Sequence, residues 1–195
     1  ATQGGGALIL TGNGRAICAG ADSGGDSGGT GREDFGEPLE KSYNGLVLKL
    51  AEYPLPIVSA VNGPAVGAGC SLALLGDIVL AARSSYLMLS FAKVGIVPDC
   101  GATWLAVRSA GLHRGLELMM LGDKLPAEKA AEWGLINRVI DDDGVMAEAT
   151  SMARRFADRE TALLCGLIYA TGGYVFLHAF ALRADMIAAA LLMTA

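Results

Sequence analysis

The sequence predicts an α/β fold built around one main domain. Short apolar runs bounded by turn residues recur along the first 140 residues, and most are followed by segments with apolar residues at helical spacing. A chain of 195 residues is long enough for one compact core. The composition becomes mainly helical near residue 141. We therefore expect a core over residues 1–140 and a C-terminal helical region over residues 141–195.

Five short apolar runs are predicted to be strands, because each has a strand's length and lies next to turn residues. They cover residues 7–11, 56–61, 77–82, 87–91 and 135–140. The first ends in a Gly-Asn-Gly turn. Residues 22–38 are rich in glycine, serine and acidic residues, and residues 95–101 contain two glycines and a proline. Both segments are predicted to be loops.

Six segments are predicted to be helices from the spacing of their apolar residues. They cover residues 39–51, 68–75, 102–110, 112–121, 126–133 and 145–158. Gly122 ends the fourth helix. The fifth has Pro126 in its first turn and Gly134 at its C-terminal end, which is the usual arrangement of these two residues around a helix.

The composition argues against several kinds of partner. The net charge is −5 and no block of lysine or arginine occurs, so a nucleic-acid partner is not expected. The four cysteines form no Cys-x-x-Cys pair and the two histidines lie far apart, so no metal site is expected. The most apolar stretch, residues 174–195, contains Arg183 and Asp185 and is not expected to span a membrane.

Two further features bear on cellular context and assembly. Scattered cysteines suit a reducing compartment, so a cytoplasmic location is expected. Hydrophobic residues make up 52% of the chain and charged residues 18%. This apolar composition indicates buried surface beyond one core, such as a subunit interface.

Two glycine-rich turns follow predicted strands, at residues 18–22 (CAGAD) and 63–70 (GPAVGAGC). Small residues let a backbone approach a ligand closely, and the second turn also opens a helix, whose first N–H groups are unpaired. Two such turns facing one point would form an oxyanion hole, where one donor contributes ~2.7–4 kcal/mol. Local composition equally supports ordinary tight strand–helix turns. The spacing of Gly63, Gly67 and Gly69 is not that of a dinucleotide fingerprint, and no P-loop motif occurs.

Four ordered segments of the chain resemble the signature blocks of the crotonase (enoyl-CoA hydratase/isomerase) family. They are residues 10–22 (LTGNGRAICAGAD), 56–77 (PIVSAVNGPAVGAGCSLALLGD), 91–104 (FAKVGIVPDCGATW) and 121–139 (LGDKLPAEKAAEWGLINRV). The resemblance implies a crotonase-like ββα spiral with a helical C-terminal oligomerisation region, assembled as a homotrimer or hexamer. It also implies an acyl-CoA substrate and no cofactor beyond the coenzyme A that the substrate carries.

The resemblance also assigns residues to a site. By motif position, the backbone N–H groups of Ala21 and Ala68 would hold the thioester oxygen. The turn formed by Ala19, Gly20, Ala21 and Asp22 would lie beside the coenzyme A moiety. Gly67, Ser71 and Phe91 complete the expected substrate-binding set. For Ser71, a buried helix serine without a ligand is the commoner outcome.

The departures from the family pattern favour isomerisation over hydration. Family hydratases position water with two glutamates, which would fall at Ser71 and near Phe91, and neither residue is a carboxylate. Asp99 stands where family isomerases can carry a single acid. Residues 90–101 (SFAKVGIVPDCG) especially resemble the phenylacetate-pathway isomerases, which rearrange a ring epoxide of phenylacetyl-CoA.

One acid suffices for isomerisation, because it can remove a proton from C2 and return it at C4 while the oxyanion hole holds the enolate. Ile96, Val97, Phe91 and Trp104 are expected to provide an apolar pocket around Asp99. Local sequence alone favours another role, in which Asp99 caps the helix that follows it, whereas the family resemblance favours catalysis.

Two other functions stay open: a hydratase that recruits its acid from elsewhere, and a non-catalytic acyl-CoA binder. Relative to the family pattern, the chain also starts after the first strands and helix and stops before the last helix. Either an incomplete chain or a shortened site is therefore expected.

Overall fold

The strands form two sheets. The computed structural model describes residues 7–20 and 43–157 of the chain. Their strands are β1 (Leu8–Thr11), β2 (Ile57–Val61), β3 (Ala65–Val66), β4 (Ile78–Ala82), β5 (Tyr86–Met88), β6 (Leu125–Pro126) and β7 (Arg138–Ile140). The larger sheet has the order β1-β2-β4-β7 and is parallel throughout. In the smaller sheet, β5 lies between β3, which is parallel to it, and β6, which is antiparallel.

The helices alternate with the strands as the sequence predicts. They are α1 (Gly45–Ala51), α2 (Ala68–Leu74), α3 (Ala102–Ala110), α4 (Leu112–Leu121), α5 (Ala127–Glu132) and α6 (Val145–Ala157), with a 3₁₀ helix at Ser90–Val94. The bounds of α3 and α4 are those predicted. Each is followed by a glycine with positive φ, Gly111 and Gly122, a conformation that favours the end of a helix.

Both faces of the larger sheet are buried, which is why its strands are continuous apolar runs. All five residues of β2 are buried. Successive strand residues point to opposite faces. Val61, Val79 and Ala81 contribute to the main core, which α2–α5 complete. The other face packs against α6 through Val58, Ala60, Leu80, Ala82, Val145, Ala149 and Met152.

The predicted strand at residues 87–91 is only partly correct. Residues 86–88 form β5, but the chain then turns into the 3₁₀ helix, which ends at Gly95 in the left-handed conformation. Phe91 is buried in the main core from this helix. A short apolar run has no periodicity that distinguishes a strand from a single helical turn, so the sequence could not separate the two.

Two other predicted bounds are wrong because of pairing with residues that are distant along the chain. Pro126 belongs to β6 and precedes α5 as its N-cap, with extended backbone angles, instead of lying in the first helical turn. The last strand begins at Arg138 and not at residue 135. Asn137, which directly precedes this strand, is bonded to Val79 of β4 in two ways. Its backbone N–H donates to the Val79 carbonyl, and its side-chain oxygen accepts the Val79 N–H.

The first helix beyond the predicted boundary at residue 140 is α6, and it covers one face of the larger sheet. The division into a core and a helical region stays a prediction, because residues 158–195 lie outside the described part of the chain. Within the described ranges, no helix has both the length and the apolar character needed to cross a membrane.

Candidate active site

The two glycine-rich turns meet in the structure, as the oxyanion-hole hypothesis requires. Cys18 forms an isolated parallel bridge with Ala65, and its carbonyl accepts the N–H of Val66 at 3.0 Å. Gly69 packs so closely here that an added Cβ would overlap the carbonyl oxygen and the Cβ of Cys18. Close packing of the two backbones therefore requires a glycine at position 69.

Gly67 turns the chain from β3 into α2. Its φ of 56° and ψ of −127° form a conformation that side chains rarely adopt. Its N–H donates to the carbonyl of Met88 at 2.8 Å. A Cβ built on Gly67 would lie 3.9 Å from the Cα of Gly20, so these two predicted substrate-binding glycines are neighbours. Ala19, beside Gly20, is exposed.

Ala68 begins α2 directly after this turn, and its side chain is only 5% exposed. No carbonyl within residues 7–20 and 43–157 accepts its N–H, as is usual for the first residue of a helix. Among the described residues the predicted donor therefore has no acceptor, and it lies next to Gly69, where the two turns meet. Ala21 and Asp22, the other predicted residues of the first turn, lie outside the described residues.

Asp99 begins a tight turn immediately before α3. Its carbonyl accepts the N–H of Ala102 at 2.9 Å, and both central residues have positive φ, 52° at Cys100 and 78° at Gly101. These features define a type I′ turn, whose first central position normally takes Asn, Asp or Gly. Cys100 is the sole non-glycine residue with positive φ in the described part of the chain. A strained residue of this kind often marks a functional site.

The Asp99 carboxylate does not cap α3. The N-cap residue is Gly101, and no side chain provides a capping hydrogen bond. The Oδ1 atom of Asp99 is buried, and no donor in residues 7–20 or 43–157 reaches it. A buried carboxylate oxygen without a partner is costly in a folded protein. The helix-capping interpretation is therefore wrong, and within the described residues Oδ1 has no partner.

Ser71 connects the Asp99 turn to the second glycine-rich turn. It lies one helical turn after Ala68 in α2 and is fully buried. Its hydroxyl lies 3.3 Å from the carbonyl oxygen of Asp99 and 3.4 Å from that of Gly67. The Ser71 hydroxyl therefore contacts both the turn that carries Asp99 and the turn that precedes Ala68.

Comparison with known proteins identifies the family. The model of the family described as "Enoyl-CoA hydratase/isomerase" matches residues 2–168 of the chain. The chain belongs to this enoyl-CoA hydratase/isomerase family. The "1,2-epoxyphenylacetyl-CoA isomerase" of Escherichia coli (strain K12) is 48% identical over 157 residues, covering 79% of this chain and 60% of that protein.

Other members of the hydratase/isomerase family carry hydratase names. A "Probable enoyl-CoA hydratase" of Rhodobacter capsulatus is 41% identical over 137 residues, covering 70% of this chain and 52% of that protein. The crystal structure of an enoyl-CoA hydratase from Mycobacterium avium subsp. paratuberculosis superposes with a TM-score of 0.71 at 33% identity, covering 85% of this chain and 66% of that one. The fold is thus the crotonase fold. The chain spans little more than half the length of the two curated relatives.

The two positions where family hydratases carry glutamates have other uses here. The hydroxyl of Ser71 points to backbone carbonyls, and Phe91 is 4% exposed within the main core. Their predicted contacts with substrate stay predictions. Of the apolar side chains expected to enclose Asp99, three are open to solvent: Ile96 is 36%, Val97 79% and Trp104 39% exposed. They do not form the expected closed pocket.

Sequence reasoning did not single out Tyr43 as a neighbour of the candidate acid. Burial raises the pKa of its phenol, and electrostatic interactions with Cys100, Cys18 and Asp99 add to the effect. The Tyr43 phenol therefore lies within electrostatic range of Asp99. Since residues 21–42 separate it from the first turn along the chain, no local motif could have indicated this position.

The cysteines near the site are not suited to nucleophilic chemistry. Burial raises the pKa of the Cys100 thiol to about 12, assisted by a hydrogen bond with Asp99 and by the charge of that carboxylate. Burial likewise raises the pKa of Cys70 to about 12. Both thiols stay protonated at neutral pH, whereas the thiolate is the reactive form. This agrees with their interpretation as small packing residues.

Proposed function

We propose that the protein isomerises an unsaturated or ring-epoxide acyl-CoA through a thioester enolate, with Asp99 as the acid–base group. The observation that carries the proposal is the buried Oδ1 of Asp99, which has no donor among the described residues. A carboxylate with one oxygen left without a donor, close to the second glycine-rich turn, is suited to accept a proton from a bound ligand.

The proposed oxyanion hole consists of the N–H groups of Ala68 and Ala21. The free N–H of Ala68 and the contact between the two turns support the first of these donors. An enolate oxygen held by such preorganised donors is stabilised more than the ground-state carbonyl, which lowers the barrier to proton removal. Ala19, Gly20, Asp22 and Gly67 are proposed to bind the coenzyme A moiety.

Proton transfer by a single carboxylate accounts for the reaction on a 3-enoyl-CoA. Asp99 takes the C2 proton, the electron pair of that C–H bond moves into the thioester, and a dienolate forms. The protonated Asp99 then donates to C4, which leaves the double bond between C2 and C3. No water is added and no cofactor is needed beyond the coenzyme A of the substrate.

The wider context of the proposal rests on the relatives. The Escherichia coli relative is named for an epoxyphenylacetyl-CoA, which supports a ring-epoxide substrate as one possibility. A homotrimer or hexamer, a cytoplasmic location, and the absence of nucleic-acid or membrane partners stay predictions from the sequence.

Hydration is the alternative that the names of other relatives support. It requires an acid that activates water, and the two expected glutamate positions are occupied by Ser71 and Phe91, which carry no carboxylate. Isomerisation needs only the one acid present, so it is the preferred proposal. An acyl-CoA binder without activity would leave the free Asp99 carboxylate unexplained.

The first experiment follows the conversion of a 3-enoyl-CoA to the conjugated 2-enoyl-CoA by absorbance, for wild type and Asp99→Asn. Removing a general base should lower the rate by at least about 100-fold. The matched control is Asp143→Asn, an exposed acid distant in sequence from the site, which should keep the wild-type rate.

A separate reaction with a conjugated 2-enoyl-CoA, analysed by mass spectrometry, tests hydration, because water adds to a double bond conjugated with the thioester and gives a product about 18 mass units heavier. Conversion of the 3-enoyl-CoA by Asp99→Asn at the wild-type rate would remove Asp99 from the mechanism. Hydration of the 2-enoyl-CoA by wild type, without conversion of the 3-enoyl-CoA, would replace the isomerase proposal by the hydratase alternative.

A further inference from the structure

Ser71 occupies an unusual place between the two halves of the candidate site. Its Oγ is within 3.3 Å of the Asp99 carbonyl oxygen and 3.4 Å of the Gly67 carbonyl oxygen, although Asp99 is 28 residues away along the chain. Gly67 precedes the candidate oxyanion donor Ala68, and Asp99 carries the candidate acid. One fully buried hydroxyl therefore touches the backbone of both.

Neither carbonyl needs Ser71 in order to be satisfied. The Asp99 carbonyl already accepts the N–H of Ala102 at 2.9 Å, and the Gly67 carbonyl already accepts the N–H of Cys70 at 2.9 Å. Removing the hydroxyl would therefore leave no buried acceptor unpaired, which is the usual cause of a large loss of stability. What the hydroxyl adds is a connection between the two turns.

The Asp99 turn needs such a connection more than an ordinary turn does. Cys100, at its first central position, has a φ of 52°, and a non-glycine residue in this conformation persists only where its surroundings enforce it. The turn is preceded by an exposed loop, since Ile96 and Val97 are both exposed. Ser71 is the side chain that contacts the turn's first carbonyl from across the site.

We infer that Ser71 is a positioning residue: its hydroxyl holds the Asp99 turn against the start of α2 and so sets the place of the carboxylate relative to the Ala68 N–H. This inference rests on the proposed function, because it assigns Ser71 a role in proton transfer by Asp99. It replaces direct binding of substrate by Ser71, whose hydroxyl faces two backbone carbonyls.

The expected effect is moderate. The two distances from the Ser71 Oγ are longer than those of strong O–H···O hydrogen bonds. The hydroxyl therefore adjusts the position of the Asp99 turn, but the turn forms without it. Small misplacements of a catalytic group still lower rates strongly, and we expect Ser71→Ala to lower kcat by about ten-fold with KM nearly unchanged.

The test compares Ser71→Ala and Ser71→Thr with the matched control Ser85→Ala. Ser85 is also buried, and its hydroxyl also donates to a backbone carbonyl, that of Ala82, in a turn that carries none of the proposed site residues. Two rates are measured: isomerisation of a 3-enoyl-CoA, and exchange of the C2 protons of a saturated acyl-CoA with deuterium from solvent. The second reports proton removal by Asp99 whatever the physiological acyl group.

The inference predicts that Ser71→Ala lowers both rates by a similar factor, that Ser71→Thr restores much of each, and that Ser85→Ala matches wild type. In an Asp99→Asn background, Ser71→Ala should cause no further loss, because its effect acts through Asp99. If Ser71→Ala does not fold, Ser71→Cys keeps the side-chain volume, weakens the hydrogen bond and is judged by the same criteria.

Several outcomes overturn the inference. Unchanged rates in Ser71→Ala would show that the connection does not matter, and a raised KM with unchanged kcat would indicate substrate binding instead. An equal loss in the Asp99→Asn background would indicate a role independent of Asp99. If wild type exchanges C2 protons in a Ser71-dependent way but does not isomerise, the inference holds and the proposed function fails. If wild type does neither, both fail.

Discussion

At the scale of single residues, the candidate site depends on two positions at which the backbone conformation or a close contact requires glycine. Gly67 adopts a conformation that side chains rarely reach, and Gly69 lies against the backbone of Cys18. Asp99 differs from both glycines. An aspartate at this position could cap a helix or act on a ligand, and the choice depends on the residues packed around it. The buried oxygen without a donor is the property that distinguishes it from a helix cap.

Gly69→Ala tests the close contact of the two turns at this scale. Alanine has the higher helix propensity by about 1 kcal/mol, so in open space this change would stabilise the helix. Here the new Cβ would meet the carbonyl and Cβ of Cys18, and backbone cannot move aside easily. We expect Gly69→Ala to lower the free energy of unfolding by roughly 1–3 kcal/mol, measured by urea denaturation.

Gly45→Ala is the matched control, because Gly45 also lies in a helix and an added Cβ there meets nothing within 4 Å. It should be neutral or slightly stabilising. Equal effects of the two substitutions would show that the turns are not in tight contact. Isomerase activity should fall with Gly69→Ala, because the displaced turn carries Ala68.

At the scale of elements, the loop that leads from β1 to the first glycine-rich turn is held in place by the side chain of Asn62. The amide nitrogen of Asn62 donates to the carbonyls of Gly12 at 3.0 Å and Gly14 at 2.8 Å, and its oxygen accepts the N–H of Gly12 at 3.3 Å. Asn62 follows β2, whereas both glycines follow β1. It therefore fastens the loop after one strand to the end of the neighbouring strand.

Asn62→Ala should loosen residues 12–20 and lower the free energy of unfolding by about 1–3 kcal/mol, since three hydrogen bonds are lost, two of them in partly buried surroundings. Hydrogen exchange measures the effect segment by segment, and protection should fall in residues 12–20 more than in β2 or β4. Asn13→Ala, an exposed asparagine in the same loop, is the control. Loss of protection spread evenly over the larger sheet would contradict a local fastening role.

At the scale of the whole molecule, α4 presents an apolar face that the described residues leave uncovered. Leu112, Leu116 and Met120 follow one another at intervals of four residues and are 56%, 40% and 71% exposed. The same helix buries Leu118 and Met119 in the main core. The two consecutive methionines of α4 thus differ, since Met119 is buried in the core and Met120 lies on the surface.

Met120→Glu is expected to weaken the proposed homo-oligomer, because a carboxylate in an apolar interface loses its hydration. Light scattering during size-exclusion chromatography should show a lower mass or a stronger concentration dependence. Met146→Glu, which changes an exposed methionine on α6, is the control and should leave the mass unchanged. If both variants keep the wild-type mass, the exposed face of α4 does not lie in the interface.

The sequence by itself determined the family, the alternation of strands and helices and the bounds of α3 and α4, because four ordered motifs and helical periodicity are local properties. It also identified Ala68, Ser71 and Asp99 as residues of interest, through their positions in those motifs. It could not determine that residues 90–94 form a 3₁₀ helix, nor where the last strand begins. Those bounds depend on partners that are distant along the chain, such as Val79 for Asn137.

Only the tertiary structure decided how the candidate site is arranged. The meeting of Cys18 with Gly69, the place of Tyr43 near the acid, and the hydroxyl of Ser71 against Asp99 all join residues from separate motifs. The same holds for the choice between helix cap and free carboxylate at Asp99, because burial and missing donors are properties of the packed surroundings. A motif records which residues are present, whereas their distances and hydrogen bonds arise when the chain folds.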